Sequence, residues 1–118
     1  MAQSFVPGDD LVFQLESGYG LLRVLAVEDE GAETVWHLMA YDDFFPDIDS
    51  AELKLKQSTE MAVRKDHMAL TDRAFERTPA ARLGNRPVTE AELAGYRRWL
   101  ASDKSVSDRS ALLMLGIR

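Results

Sequence analysis

The 118-residue chain contains no cysteine. That excludes a disulfide framework, a thiol nucleophile and every thiolate metal site, and it is compatible with a reducing compartment. Histidine is scarce, with only His37 and His67, so a structural zinc site would have to complete its shell with carboxylates. No long apolar run occurs. The longest, Ala111 to Leu115, falls far short of the roughly 20 residues that span a bilayer. The start, Met1-Ala2-Gln3-Ser4-Phe5, has neither the basic n-region nor the apolar h-region of a secretion signal. Together these absences predict a soluble, cytoplasmic protein with no membrane partner. A Gly-x-Ser-x-Gly nucleophile turn is also missing, and Gly18-Tyr19-Gly20 lacks the longer glycine pattern and following helix of a phosphate loop. No residue pattern asks for a cofactor, and none fixes a catalytic residue.

Basic residues are almost absent from the first half. Residues 1–52 hold twelve acids against the single base Arg23, a net of −11, whereas residues 53–118 carry eight acids and thirteen bases, a net of +5. Such asymmetry points to a partner surface, or to halves that neutralise each other within or between chains. The overall charge of −6 argues against nucleic-acid binding by the whole surface.

The length predicts one domain over residues 1–118, with 1–70 mainly strands and acidic and 71–118 mainly helical and basic. A chain of this size buries roughly 65% of the surface its unfolded form exposes. Pro7-Gly8-Asp9 turns the chain into a first strand, where Leu11, Phe13 and Leu15 alternate with other residues. Ser17-Gly18-Tyr19-Gly20 reads as a hairpin connection in which glycine supplies positive φ. Leu21 to Val27 forms a second strand, Glu28-Asp29-Glu30-Gly31-Ala32 an exposed acidic turn, and Thr34 to Tyr41 a third strand. Asp42 to Ser50 breaks the pattern as a loop. Leu53 to Lys56 offers a short strand and Glu60 to Leu70 a longer one, although Met61-Ala62-Val63 can equally open a helix. Between Thr71 and Pro87 only a turn at Gly84-Asn85 stands out.

Helix signals sharpen after that. Thr89 and Glu92 form a capping box, in which each side chain satisfies an unpaired amide of the first turn. Leu93, Tyr96, Trp99 and Leu100 then mark one stripe of a helix, with Arg97 and Arg98 facing away. Ser105 with Asp108, or Ser107, can cap a last helix bearing Leu112, Leu113 and Leu115, which Gly116 ends. The fold expected is α+β: a small bent antiparallel sheet or open barrel of four to five strands, followed by two C-terminal helices.

The leading candidate site is the loop Tyr41, Asp42, Asp43, Phe44, Phe45, Asp47 and Asp49, where carboxylates interleave with aromatic residues. That mixture suits a basic protein partner. Other readings tuck the phenylalanines into the core with the aspartates in water, or place calcium or magnesium on the carboxylates. The loop lacks the glycine and terminal glutamate of a calcium-binding loop. His37 shares a strand face with Val35 and Met39, while His67 in Arg64-Lys65-Asp66-His67 reads as exposed. The arginines Arg73, Arg77, Arg82, Arg86, Arg97 and Arg98 offer a weaker phosphate-binding surface, or partners for the acidic strands. Tyr96 and Trp99 read as the packing anchor of their helix.

Pro7-Gly8-Asp9, the apolar strand after it, and Gly18-Tyr19-Gly20-Leu21-Leu22-Arg23-Val24-Leu25 resemble the opening of a family of bacterial immunity proteins from polymorphic toxin systems. Tyr41-Asp42-Asp43 is similar to the acidic end of the third strand in that family. The resemblance covers roughly the first third of the chain, and the part from Thr89 onward has no counterpart. It implies an SH3-like barrel and a non-enzymatic protein that neutralises a cognate toxin by binding it. The alternatives are a small enzyme or ligand- or metal-binding protein using carboxylates near His37, and an SH3-like nucleic-acid module. A homo-oligomer joining acidic strands to basic helices also fits the charge pattern.

Overall fold

The computed structural model describes residues 4–30, 33–57 and 61–116. Nine elements follow one another: β1 (Asp9–Leu15), β2 (Gly18–Glu30), β3 (Glu33–Tyr41), α1 (Ile48–Gln57), β4 (Val63–Thr71), α2 (Asp72–Glu76), β5 (Ala80–Asn85), α3 (Ala94–Leu100) and α4 (Ala111–Leu115). The strands form one antiparallel sheet in the order β4-β3-β2-β1-β5. This is an α+β fold whose sheet is open, with β4 and β5 at its edges. Among the described residues no helix is long and apolar enough to cross a membrane.

Both faces of the sheet are covered, which is why β1 is buried from Asp9 to Phe13. On the first face Leu11, Phe13, Leu22, Val24, Trp36, Leu38, Met68 and Leu70 pack against Phe75 of α2 and Ala111 and Leu115 of α4. On the second face Val12, Leu21, Leu25, Met39 and Tyr41 meet Ala51 of α1, with Val88 and Leu93 packed alongside. Side chains alternate between faces with period two. A bulge between Val24 and Ala26 interrupts that alternation. Before it, even-numbered residues of β2 belong to the first face; after it, Val27 joins the first cluster and Glu28 turns to the second face. A second irregularity lies in β4, which takes three steps from Lys65 to Met68 where β3 takes two from Leu38 to Ala40. Bulges re-aim side chains in this way.

Several local expectations need correction. Residues Leu53–Lys56 lie within helix α1, not a strand. Asp47 caps that helix, its Oδ1 accepting from the Ser50 amide at 2.7 Å; the sequence Leu53-Lys54-Leu55-Lys56 mimics strand alternation. The acidic turn is shorter than expected, because Glu28, Asp29 and Glu30 pair with Val35, Thr34 and Glu33; Gly31 and Ala32 lie outside the described residues. So does Glu60, and β4 begins at Val63 without an opening helix at Met61. The first hairpin turns at Glu16-Ser17, and neither Gly18 nor Gly20 adopts positive φ. Gly20 is instead a close-approach residue: a Cβ there would lie 2.5 Å from Cζ of Phe13. Gly84 and Asn85 are paired residues of β5, and α4 is capped by Ser110 rather than Ser105 or Ser107. Gly116 ends it in the left-handed region at φ 69°. On α3 the buried residue is Gly95, and Leu100 is exposed.

The lone base of the first half is deeply buried. Arg23 sits opposite Asp10 in the β1–β2 register with 1% of its side chain exposed. Its Nη1 donates to Gly8 O at 2.9 Å and to Asp10 Oδ1 at 3.2 Å. Nη2 donates to the carbonyls of Arg86 and Pro87, both at 3.0 Å, and Nε reaches Glu92 Oε2 at 2.8 Å. All faces of the guanidinium fork are therefore occupied. Glu92 belongs to the capping box: its amide donates to Thr89 Oγ1 at 3.2 Å while its carboxylate accepts from the Thr89 amide at 2.9 Å. Gly8, at φ +94°, fits here because a Cβ would meet Arg86 O at 2.4 Å.

Two outcomes follow for denaturant titrations. Arg23→Leu leaves three carbonyls without this donor and takes a buried counter-charge from Asp10 and Glu92, so a loss of about 3–5 kcal/mol is expected. A loss below about 1 kcal/mol would show that water replaces the guanidinium without penalty. Gly20→Ala is expected to cost about 1–3 kcal/mol by overpacking, and less in a Phe13→Leu background, where the offending ring is gone.

Candidate functional site

The structure divides the candidate loop between core and solvent. Tyr41 ends β3 with its ring buried on the second face, and its hydroxyl accepts from Arg86 Nη2 at 3.1 Å. Phe45 is partly buried against the same cluster, and its backbone pairs with Tyr19 in both directions, at 2.8 and 2.9 Å. Phe44 points outward, 45% exposed, with the Arg64 guanidinium 5.8 Å from its ring centre. Ile48 is 42% exposed one turn further on. Asp42, Asp47 and Asp49 are exposed and Asp43 partly so.

Not all of that acidity is available. Asp42 pairs with Arg64 at 3.3 Å and Asp43 lies 3.9 Å from Lys54. Hydrogen bonds from the Ser50 hydroxyl and amide hold the Asp47 carboxyl below the usual range, as befits a helix cap. Asp49, in the first turn of α1, is favoured there by the helix dipole. The surface thus presents exposed Phe44 and Ile48 among carboxylates, of which Asp49 has no cationic partner among the described residues. No reach of three histidine, aspartate or glutamate side chains around a common metal position exists among the described residues.

The histidines are not independent. His37 is fully buried on the second face, and His67, expected to be exposed, is half-buried beside it. Their rings stack with centroids 5.1 Å apart, and His37 Nδ1 lies 2.9 Å from His67 Nε2. The other nitrogen of His37, Nε2, lies 2.6 Å from Glu28 Oε1. A carboxylate can only accept, so His37 donates from Nε2, its Nδ1 accepts, and His67 donates from Nε2. Tyr96 and Trp99 of α3 cover the pair, each ring centroid 4.5 Å from that of His37. Trp99 is itself fixed by donation to Ser105 O at 2.7 Å. Gly95 allows this approach, since a Cβ there would meet His67 Cβ at 2.8 Å.

Burial lowers the pKa of His37 although Glu28 pulls it upward. Burial, reinforced by His37, lowers His67 to about 4. Both rings are neutral at pH 7.

The predicted arginines all have acceptors. Arg73 and Arg77 reach Asp108, the former at 2.6 Å and the latter at its carbonyl at 2.9 Å. Arg82 lies 3.8 Å from Asp9, Arg86 holds Asp10 at 2.8 Å, and Arg97 and Arg98 pair with Glu90 and Asp66. Through Asp9, Asp10, Asp42 and Arg23 the acidic and basic halves meet within one chain. Sequence reasoning did not find Glu28, His67 or Arg23 as partners. The one available signal was Arg23 itself, a charge set between the apolar pairs Leu21-Leu22 and Val24-Leu25 of β2.

Compared with protein-family models, with curated proteins and with solved structures, the chain has no match in any of the three.

The histidine pair gives a pH dependence with a definite sign. Unfolded histidine titrates near 6.5, and the folded pKa values lie lower. The unfolded state therefore binds more protons, and stability is full above pH 6.5 and declines as pH falls toward 4. The slope is at most about 1.4 kcal/mol per pH unit for each proton taken up. Urea titrations across this range should show the decline, and His67→Gln should flatten it. An unchanged slope in that variant would assign the decline to other groups.

Proposed function

We propose that this protein is a non-enzymatic interaction module that docks a basic protein through the β3–α1 loop and the first turn of α1. The observation that carries the proposal is the outward placement of Phe44 and Ile48 between exposed Asp42, Asp47 and Asp49. Aromatic and aliphatic groups left half in water among like charges supply the two ingredients of a docking patch. The carboxylates steer a basic partner and set orientation, while the apolar groups provide affinity once desolvated. Phe45 and Tyr41 act from behind, fixing the loop to the core. An inhibitory role, of the kind the resemblance to toxin-neutralising immunity proteins implies, fits a patch anchored at the end of an interior strand by the Tyr19–Phe45 bridge. A catalytic reading centred on His37 draws less support, since that ring is sealed and both its nitrogens are engaged. Nucleic acid draws less as well, because the arginines already carry carboxylate or carbonyl partners.

The test is a pull-down from the source lysate followed by binding kinetics on the retained protein. Phe44→Ala with Ile48→Ser, and separately Asp43→Lys with Asp49→Lys, leave the Asp47 cap in place. Each pair is expected to weaken binding at least about tenfold, in line with loss of an interface hot spot. The charge pair should act mainly on the association rate and remove its salt dependence. Wild-type binding by both variants would place the docking surface elsewhere.

A further inference from the structure

A cavity of about 540 Å³ opens on the second face of the sheet, between β2, β3 and β4 and the turn that leads into α3. Its size falls in the range of roughly 300–1,000 Å³ typical of small-molecule sites. Met39, Met61 and Val63 form an apolar wall. Ala91 and Ala94 stand opposite, and their short side chains leave the space open. The position is separate from the docking loop, which turns its exposed residues to solvent.

Polar groups converge at one end. Arg86 is clamped by Asp10 through Nε at 2.8 Å and Nη2 at 3.0 Å, and the same Nη2 donates to the Tyr41 hydroxyl oxygen. That leaves the Tyr41 proton with no acceptor among the described residues, on a ring 5% exposed. Burial, and then the neighbouring Asp10 carboxylate, raise the Tyr41 pKa, so the hydroxyl stays a donor at neutral pH. A donor fixed by the guanidinium behind it, at the end of an apolar wall, selects a ligand that brings an acceptor.

The charges around the cavity select against an ionic ligand. Two cations, Arg23 and Arg86, and two anions, Glu92 and Asp66, line it. Arg23 is taken by Asp10 and Glu92, Arg86 by Asp10, and Asp66 by Arg98. An incoming carboxylate or ammonium would enter without a free counter-charge and lose its hydration.

We propose that this cavity binds a small neutral molecule, with a compact apolar body against Met39, Met61 and Val63 and one carbonyl-type acceptor on the Tyr41 hydroxyl. The ligand site shares Tyr41 with the anchorage of the docking loop, but the two bind through different groups, and Val63→Trp tests the cavity without altering Phe44, Ile48 or the loop carboxylates.

Three probes sharing one ring test the idea: acetophenone, benzoate and benzylammonium, each titrated into isotope-labelled full-length protein and followed by amide chemical shifts. Acetophenone is expected to give saturable shifts in the millimolar range at Met39, Tyr41, Ala94 and Gly95. Benzoate and benzylammonium should bind at least tenfold more weakly. Tyr41→Phe should lower acetophenone affinity by about threefold to tenfold, the worth of one hydrogen bond. Val63→Trp, at a half-exposed position on the cavity wall, should abolish binding with the fold intact, and it carries the test if Tyr41→Phe does not fold. The proposal is overturned if acetophenone gives no saturable shift, if the three probes bind alike, or if Val63→Trp binds as wild type does.

Discussion

Arg23 is the constraint on which the arrangement depends. A guanidinium removed from water needs every donor satisfied, and no single element of this chain can supply enough acceptors. Its partners come from the turn before β1, from β1, from the segment after β5 and from the turn that leads into α3. Satisfying one side chain therefore fixes the N-terminal turn, the edge strand and the last third of the chain relative to one another. Asp10 extends the network to Arg86, and Arg86 extends it to Tyr41. The cavity and the inner anchorage of the docking loop both inherit their geometry from that chain of contacts.

The parts legible in the sequence were those governed by local periodicity or local capping. Strand β1 announced itself through alternation, β2 as an apolar run between turns and β3 through its β-forming residues, and the Thr89–Glu92 box through its spacing. Helix α1 did not, because Leu53 and Leu55 alternate with Lys54 and Lys56 just as strand residues would. The better signal was Asp47, a capping aspartate three residues ahead of Ser50. Strand β5 is short, carries Gly84 and gains its order from pairing with β1, a partner some seventy residues away that no local window contains. Of the candidate loop, its acidity and its mixture with aromatics could be read directly. Which phenylalanine faces water could not, since that depends on the Tyr19–Phe45 bridge.

The histidine pair shows a different kind of illegibility. In a regular strand Glu28 would share a face with Val24, among the residues that pack on α2 and α4. The bulge after Val24 reverses that assignment and brings Glu28 to His37. An irregularity in β4 likewise accommodates Asp66 and His67 under α3. Neither bulge has a residue signature here. The contrast of acidic and basic halves was plain from composition, yet much of it is spent inside the molecule, where Asp9, Asp10 and Asp42 meet arginines from the second half.

The span of the Arg23 contacts also has a bearing on synthesis at the ribosome. The β1–β3 meander emerges first and has most of the apolar residues of both faces. Its buried arginine, however, waits for acceptors 63, 64 and 69 residues downstream. Until Arg86, Pro87 and Glu92 leave the exit tunnel, closing the meander would trap a partly unsatisfied cation. The nascent sheet is thereby kept from settling early, and its folding is tied to synthesis of the segment around Arg86, Pro87 and Glu92, as expected where long-range contacts dominate.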